Sequence, residues 1–159
     1  MPVPDRLQEI VDQFASAPRE LRVQALLGFA NRVPPLPERL AANRGELEQV
    51  HECQTPFFLA AEVDGAGAVH LWFDSPPEAP TVRGFAGILR EGLEGASAEE
   101  VLSVPPDFYR GMGLTDVVSA LRLRGMSAIL SRLKRQVRER AGVAAAESTS
   151  ESPEEGSPE

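Results

Sequence analysis

Pro56-Phe57-Phe58-Leu59-Ala60-Ala61-Glu62-Val63-Asp64-Gly65-Ala66-Gly67-Ala68-Val69-His70-Leu71-Trp72-Phe73-Asp74 is the stretch that decides the fold. Phe57, Leu59, Ala61 and Val63 alternate along its first run, and Val69, Leu71 and Phe73 along its second. A period of two puts each set on one face of a strand. Asp64-Gly65-Ala66-Gly67 lies between the runs, and glycine accepts the positive φ that tight turns demand. The sequence therefore predicts an antiparallel hairpin over 56–64 and 68–74 with one apolar face. A short strand over about 48–51 is expected before it, which leaves Cys53 in a loop between two strands.

Outward from the hairpin the apolar period changes to that of a helix. Leu7, Ile10, Val11 and Phe14 predict a helix over 5–15. Ser16 is read as the cap of a second helix, with Pro18 in its first turn, running to about Arg32 and ended by Val33-Pro34-Pro35-Leu36-Pro37. After the hairpin, Val82, Phe85, Ala86 and Leu89 mark a helix over 79–94. Ser97-Ala98-Glu99-Glu100 has the form of a capping box. Asp107-Phe108-Tyr109 follows two prolines and reads as a helical turn. A last helix is expected over 116–140, with Val118, Leu121, Met126, Ile129, Leu133 and Val137 as its stripe. The expected organisation is an α+β domain over 1–140 and a disordered acidic tail over 141–159, rich in Glu, Ser and Pro.

The 159 residues are 42% hydrophobic, enough for one sizeable core. A formal charge of −8 argues against non-specific nucleic-acid binding. The start of the chain lacks the basic and apolar regions of a signal peptide, and no apolar run approaches a membrane span. A cytoplasmic protein, a monomer or weak homodimer, is expected.

Cys53 is the single cysteine. It has no partner for an internal disulfide, and alone it cannot hold an iron–sulfur cluster or a structural zinc. It is either a buried space-filler or a thiol with a task. His51 and His70 are the other soft ligands, too few and too crowded for a metal site. His51, two residues from Cys53, and His70, across the strands, are the candidate bases for a Cys–His hydrolase, but no oxyanion loop is recognisable. Arg122 falls near the apolar stripe of the last helix, where an unpaired charge costs free energy: it either snorkels to water or pairs with a carboxylate such as Asp74, or it faces an anionic ligand or a thiolate whose pKa it would lower. Arg124, Arg132, Lys134, Arg135 and Arg138 read as a solvated basic face able to dock an acidic partner.

In order along the chain, several of these segments resemble the SufE family of sulfur-acceptor proteins. They are Arg32-Val33-Pro34-Pro35-Leu36 after a helical hairpin, and Cys53-Gln54-Thr55 before an apolar strand, where the family has Gly-Cys-Gln-Ser. Asp74-Ser75, Arg83-Gly84 and Arg122-Leu123-Arg124-Gly125 follow. The resemblance covers roughly residues 5–138. It implies a small three-stranded antiparallel sheet packed on helices, as in IscU-type scaffolds. It implies that Cys53 accepts a persulfide from a cysteine desulfurase (SufS-like), activates that enzyme, and passes the sulfur to an iron–sulfur scaffold (SufBCD-like). Arg122 matches a helix arginine near the desulfurase active site, and Asp74 an acidic position that steadies the cysteine loop. His51, Glu52, Gln54 and Arg124 would then contact the partner. No resident cofactor is implied, since pyridoxal phosphate would belong to the desulfurase.

Two substitutions depart from that pattern. Glu52 stands where the family has glycine, and a carboxylate beside the thiol should raise its pKa. Thr55 replaces serine. A non-catalytic adaptor for the desulfurase is the competing reading, with the Cys–His hydrolase behind it.

Overall fold

The structure, a computed structural model, describes residues 3–150 except Gln54 and Pro77, and omits the side chains of Asp116 and 143–150. Strands β1 (Glu48–Gln49), β2 (Phe58–Val63) and β3 (Val69–Asp74) form an antiparallel sheet in the order β1-β2-β3. The register pairs Leu59 with Phe73, Ala61 with Leu71 and Val63 with Val69. The alternation read from the sequence therefore lands on one face, and that face packs into the main core.

Helices α1 (Asp5–Ser16), α2 (Arg19–Asn31) and α3 (Glu38–Ala41) precede the sheet, and α4 (Pro80–Leu93), α5 (Ala98–Leu102) and α6 (Ala120–Ser150) follow it. Leu7, Ile10, Val11 and Phe14 are the buried residues of α1, as their spacing predicts. Helix α4 packs on β3 and α6 on β2, so the two share the apolar face. Burying each large side chain there contributes roughly 1.5–3 kcal/mol. The opposite face is also covered: Ala60 joins Leu40 and Leu47 in a second small core, with Leu36, Phe58 and Trp72 at its edge.

Helices α2 and α4 meet at backbone distance. A Cβ at Gly84 would stand 2.4 Å from the Leu26 carbonyl oxygen, and one at Gly87 2.3 Å from that of Phe29. Any side chain at either position would force the helices apart. Arg83 fastens the same junction, donating to the carbonyls of Ala30 (3.0 Å) and Ser75 (2.8 Å). That accounts for the Arg83-Gly84 pair seen in the sequence.

Three sequence expectations need correction. Ser16 does not cap the second helix: it is the last residue of α1, and its hydroxyl donates to the Asp12 carbonyl at 2.8 Å. Pro18 occupies the N-cap of α2 instead. Leu121 is not part of the buried stripe of the last helix, being 44% exposed, and Val118 is buried ahead of the helix rather than within it. The helix also starts later than predicted, at Ala120, after a separate 3-10 turn over Leu114–Asp116. Its backbone continues to Ser150, ten residues past the expected end. The rest of the expected tail, 151–159, lies outside the described residues.

A three-stranded sheet exposes two edges, and unpaired backbone there invites association. Side chains from α6 and from the end of α4 take up part of that backbone. On β3, Arg90 Nε donates to the Leu71 carbonyl (2.9 Å) and Glu94 Oε1 accepts from the Leu71 amide (3.1 Å). On the other side β1 ends before Ala61, and the Ala61 amide donates to Gln136 Oε1 of α6 at 2.8 Å. Gln136 is buried, 5% exposed, and its Nε2 donates to Glu48 Oε1 at 2.8 Å. Gln136→Leu leaves the Ala61 amide buried without an acceptor. Urea unfolding of this variant is expected to show a loss of about 1–3 kcal/mol with an unchanged m-value.

His70 points to the face opposite the main core, as its place in the alternation predicts. Its Nε2 lies 2.8 Å from Asp64 Oδ2 and its Nδ1 2.6 Å from Glu94 Oε2. Carboxylates only accept, so the two contacts are both hydrogen bonds when the ring carries two protons, and they favour the imidazolium form. Asp64 and then Glu94 raise the His70 pKa above its ordinary value. This contribution to stability is fully present below the unfolded pKa of about 6.5 and is lost as pH rises through the higher folded value. The urea midpoint of the wild type is expected to fall across that window, and His70→Gln to flatten the fall.

Candidate functional site

The loop that carries Cys53 stands on two buried feet. Val50 and Phe57 are both fully buried, and the Val50 amide donates to the Phe57 carbonyl at 2.8 Å. Inside the loop the Cys53 amide donates to the Val50 carbonyl at 3.2 Å, a tight turn that aims the side chain inward. Cys53 is 8% exposed and belongs to the main core.

The seat of the thiol is Gly125 on α6. Sγ lies 4.0 Å from the Gly125 carbonyl oxygen, and a Cβ at 125 would come within 3.2 Å of it. Beside the thiol opens a cavity of about 300 Å³ lined by Glu52, Cys53, Thr55, Ala79, Val82 and Arg122, among others. Arg122 is exposed at its rim and donates through Nη1 to Thr81 Oγ1 of α4 at 3.1 Å. Among the described residues this bond to a neutral hydroxyl is the one that the Arg122 guanidinium makes.

Burial, then the Glu52 carboxylate, push the Cys53 thiol up to about 11, against an opposing pull from Arg132. Of the neighbours the sequence offered for Arg122, the thiol is not one in the seated loop: the cation that lowers its pKa is Arg132. Its Nη2 donates to Glu52 Oε1 at 2.6 Å and its Nη1 to Glu48 Oε2 at 3.1 Å. The loop amide of Glu52 and the Arg132 guanidinium hold the Glu52 carboxyl below the usual carboxylate range. Burial works against the charged form of Glu48, but bonds from Gln136, Arg135 and Arg132 hold its carboxyl low as well.

Cys53, Glu52 and Arg122 therefore share one site. Asp74 does not line the cavity: it forms an ion pair with Arg44 at 2.5 Å. It is also not the partner of Arg122. His51 and Arg124 are exposed, and neither lines the cavity. Gln54 lies outside the described residues. His70 is held by Asp64 and Glu94, which removes it as a base for Cys53. Among the described residues no group of three or more His, Cys, Asp or Glu side chains is placed to hold a metal ion, and no helix is long and apolar enough to cross a membrane.

Two residues of the site were not singled out from sequence. Gly125 was visible only as the end of Arg-x-x-Gly, and Arg132 only as one of several basic residues. The available signal was their spacing: seven residues apart, two helical turns, they lie on the same face of α6.

A sequence model of the SufE family, the Fe–S metabolism associated domain, matches residues 8–137. The chain belongs to the SufE family. An uncharacterized SufE-like protein of Mycobacterium tuberculosis is 47% identical over 137 residues, covering 86% of this chain and 94% of that one. The solution structure of a hypothetical protein from Thermus thermophilus superposes with a TM-score of 0.80 at 55% identity, covering 88% of this chain and 98% of that one. A Plasmodium vivax protein named cysteine desulfuration protein SufE is 26% identical over 132 residues, 81% of this chain and 51% of that one. Membership of the SufE family ties the chain to Fe–S metabolism, with cysteine desulfuration in the names of its Plasmodium relatives.

The contact between Sγ and Gly125 is testable without a partner. Gly125→Ala places a methyl against the sulfur, and the loop yields more easily than the helix backbone. Alkylation of Cys53 by iodoacetamide at fixed pH is expected to speed up severalfold. Thermal stability should change little, because alanine favours the helix over glycine by about 1 kcal/mol and offsets the lost packing.

Proposed function

We propose that Cys53 accepts a persulfide sulfur from a SufS-like cysteine desulfurase, activates that enzyme by unloading it, and passes the sulfur to a SufBCD-like iron–sulfur scaffold. The observation that carries this reading is a lone thiol in a short loop, sheltered but not locked, beside a cavity with an under-used arginine at its rim. Family membership supplies the context.

The transfer is redox-neutral. The Cys53 thiolate attacks the outer sulfur of the desulfurase persulfide, the sulfur–sulfur bond of that persulfide breaks, and the desulfurase cysteine leaves as a thiolate. The proton lost by Cys53 is balanced by protonation of the leaving thiolate. Cys53 then carries the outer sulfur as its own persulfide. Arg122 is placed to meet negative charge on the partner or on the transferred sulfur, since a guanidinium at the rim has donors free for an anion. A thiol that leaves the pocket sheds the burial that holds its pKa up, so its reactivity rises on exposure to the partner.

Intact-mass measurement after mixing with the desulfurase and cysteine is expected to show a gain of about 32 Da on Cys53, one sulfur atom. Cysteine-dependent sulfide release by the desulfurase should rise on addition of the protein. Cys53→Ser should abolish both effects. Arg122→Ala should weaken the activation about tenfold or more, because a charge-assisted hydrogen bond contributes about 1.5–3 kcal/mol. An adaptor that only binds the desulfurase would retain full activation in Cys53→Ser, and that result would overturn the carrier reading.

A further inference from the structure

We propose that the Glu52–Arg132 ion pair is the latch of the cysteine loop: the two are positioning residues that keep Cys53 seated, and they part when the thiol is presented. The inference rests on the carrier reading of Cys53, because only a thiol that travels needs a latch.

The loop has fixed feet and a lightly held tip. Its feet, Val50 and Phe57, are buried and bonded to each other. His51 and Pro56 are exposed. Among the described residues, two side chains of the loop meet α6: Cys53 against Gly125 and Glu52 against Arg132. Gly125 and Arg132, two turns apart, form the seat and the catch on one face of a single rigid helix.

Arg132 is built for this division of labour. The guanidinium is a planar fork with donors on two nitrogens. Nη1 is committed to Glu48 on β1, at 3.1 Å. Glu48 is fixed in turn by Gln136 and Arg135. Nη2 reaches the loop, meeting Glu52 at 2.6 Å. One arm is thus anchored to the sheet and the other grips the movable segment. The gripping side is also the accessible one: the Glu52 side chain is 47% exposed and that of Glu48 is 24%. A charged group of an approaching partner can compete for Glu52 without disturbing the Glu48 network.

Latching and direct electrostatics on the thiol predict opposite patterns. By charge alone, Glu52 and Arg132 act on Cys53 with opposite signs. As a latch, loss of either frees the loop in the same direction. Amide hydrogen exchange of the peptide spanning the loop, corrected for intrinsic rates, reads opening and not thiol ionisation. Glu52→Gln and Arg132→Gln are each expected to speed exchange at the loop about two- to fivefold, the population change that one exposed ion pair commands. The double variant should be no faster than either single one, since both remove the same contact. Peptides from β2 and β3 should keep wild-type protection, which separates a latch from general destabilisation. Raising NaCl from about 0.05 to about 1 M should speed the wild-type loop and leave Glu52→Gln unchanged.

Unchanged loop exchange in Glu52→Gln, or additive effects in the double variant, would overturn the proposal. Glu52→Gln alone suffices if Arg132→Gln folds poorly, because Glu52 lies at the surface. The exchange is measured on the protein alone. Its outcome is therefore independent of whether Cys53 gains sulfur from the desulfurase, and the two failures are distinguishable.

Discussion

The bond between the Val50 amide and the Phe57 carbonyl sets the terms for everything the cysteine loop can do. Both residues are fully buried, and each contributes roughly 1.5–3 kcal/mol through its side chain. The tip is held by a thiol packed on a glycine and by an exposed ion pair, a kind of contact worth about 0.2–1 kcal/mol. The inequality decides which part moves. A loop that swings about firm feet displaces the thiol while the sheet and its covering helices stay in place.

Closure of the sheet serves the same end. Gln136 completes the hydrogen bonding of β2 where β1 stops, and at the same time holds Glu48. Glu48 orients Arg132, and Arg132 reaches Glu52. An edge-capping interaction required by backbone chemistry thus extends through three side chains to the residue beside the thiol. The single long helix α6 supplies Gly125, Arg132, Arg135 and Gln136, so the seat, the catch and the cap keep a fixed spacing.

Much of the fold was legible in local pattern. The hairpin and α1 follow from periodicities of two and 3.6 that burial on one face imposes. The Ser97 capping box is complete within four residues, with Ser97 and Glu100 exchanging bonds as their spacing predicts. What failed depended on contacts that spacing alone does not reveal. Leu121 has helical spacing with Met126-side residues, yet the neighbour that would cover it is a cavity. Ser16 has the chemistry of a cap, but Pro18 starts the next helix and Ser16 turns back to Asp12. Within the site, Cys53 and Glu52 were legible because chemistry singles them out. Arg132 was not, since its two carboxylates lie 84 and 80 residues away. Asp74 was given a place near the loop by resemblance; its ion pair with Arg44, 30 residues upstream, was not legible in the sequence.

Glu52 looks at first like a handicap for a sulfur acceptor, because a carboxylate next to a thiol disfavours the thiolate. The geometry changes that judgement. In the seated loop burial and then Glu52 push the thiol up to about 11, so it rests protonated at neutral pH. A persulfide carrier is exposed to oxidation whenever its sulfur is ionised and accessible. Burial and Glu52 suppress ionisation in the resting state, while Arg132 neutralises Glu52 and ties it down. Once the loop leaves its seat, the largest of these influences, burial, disappears for the thiol. In the transfer proposed for Cys53, reactivity would be coupled to exposure: leaving the seat for a partner would remove the main force that keeps the thiol protonated. A permanently low pKa would ease attack at the cost of continuous oxidation, and a permanently buried thiol would carry nothing. On the carrier role proposed for Cys53, glutamate in place of the family's glycine at position 52 would exchange some of the loop's freedom for control over when the sulfur is presented.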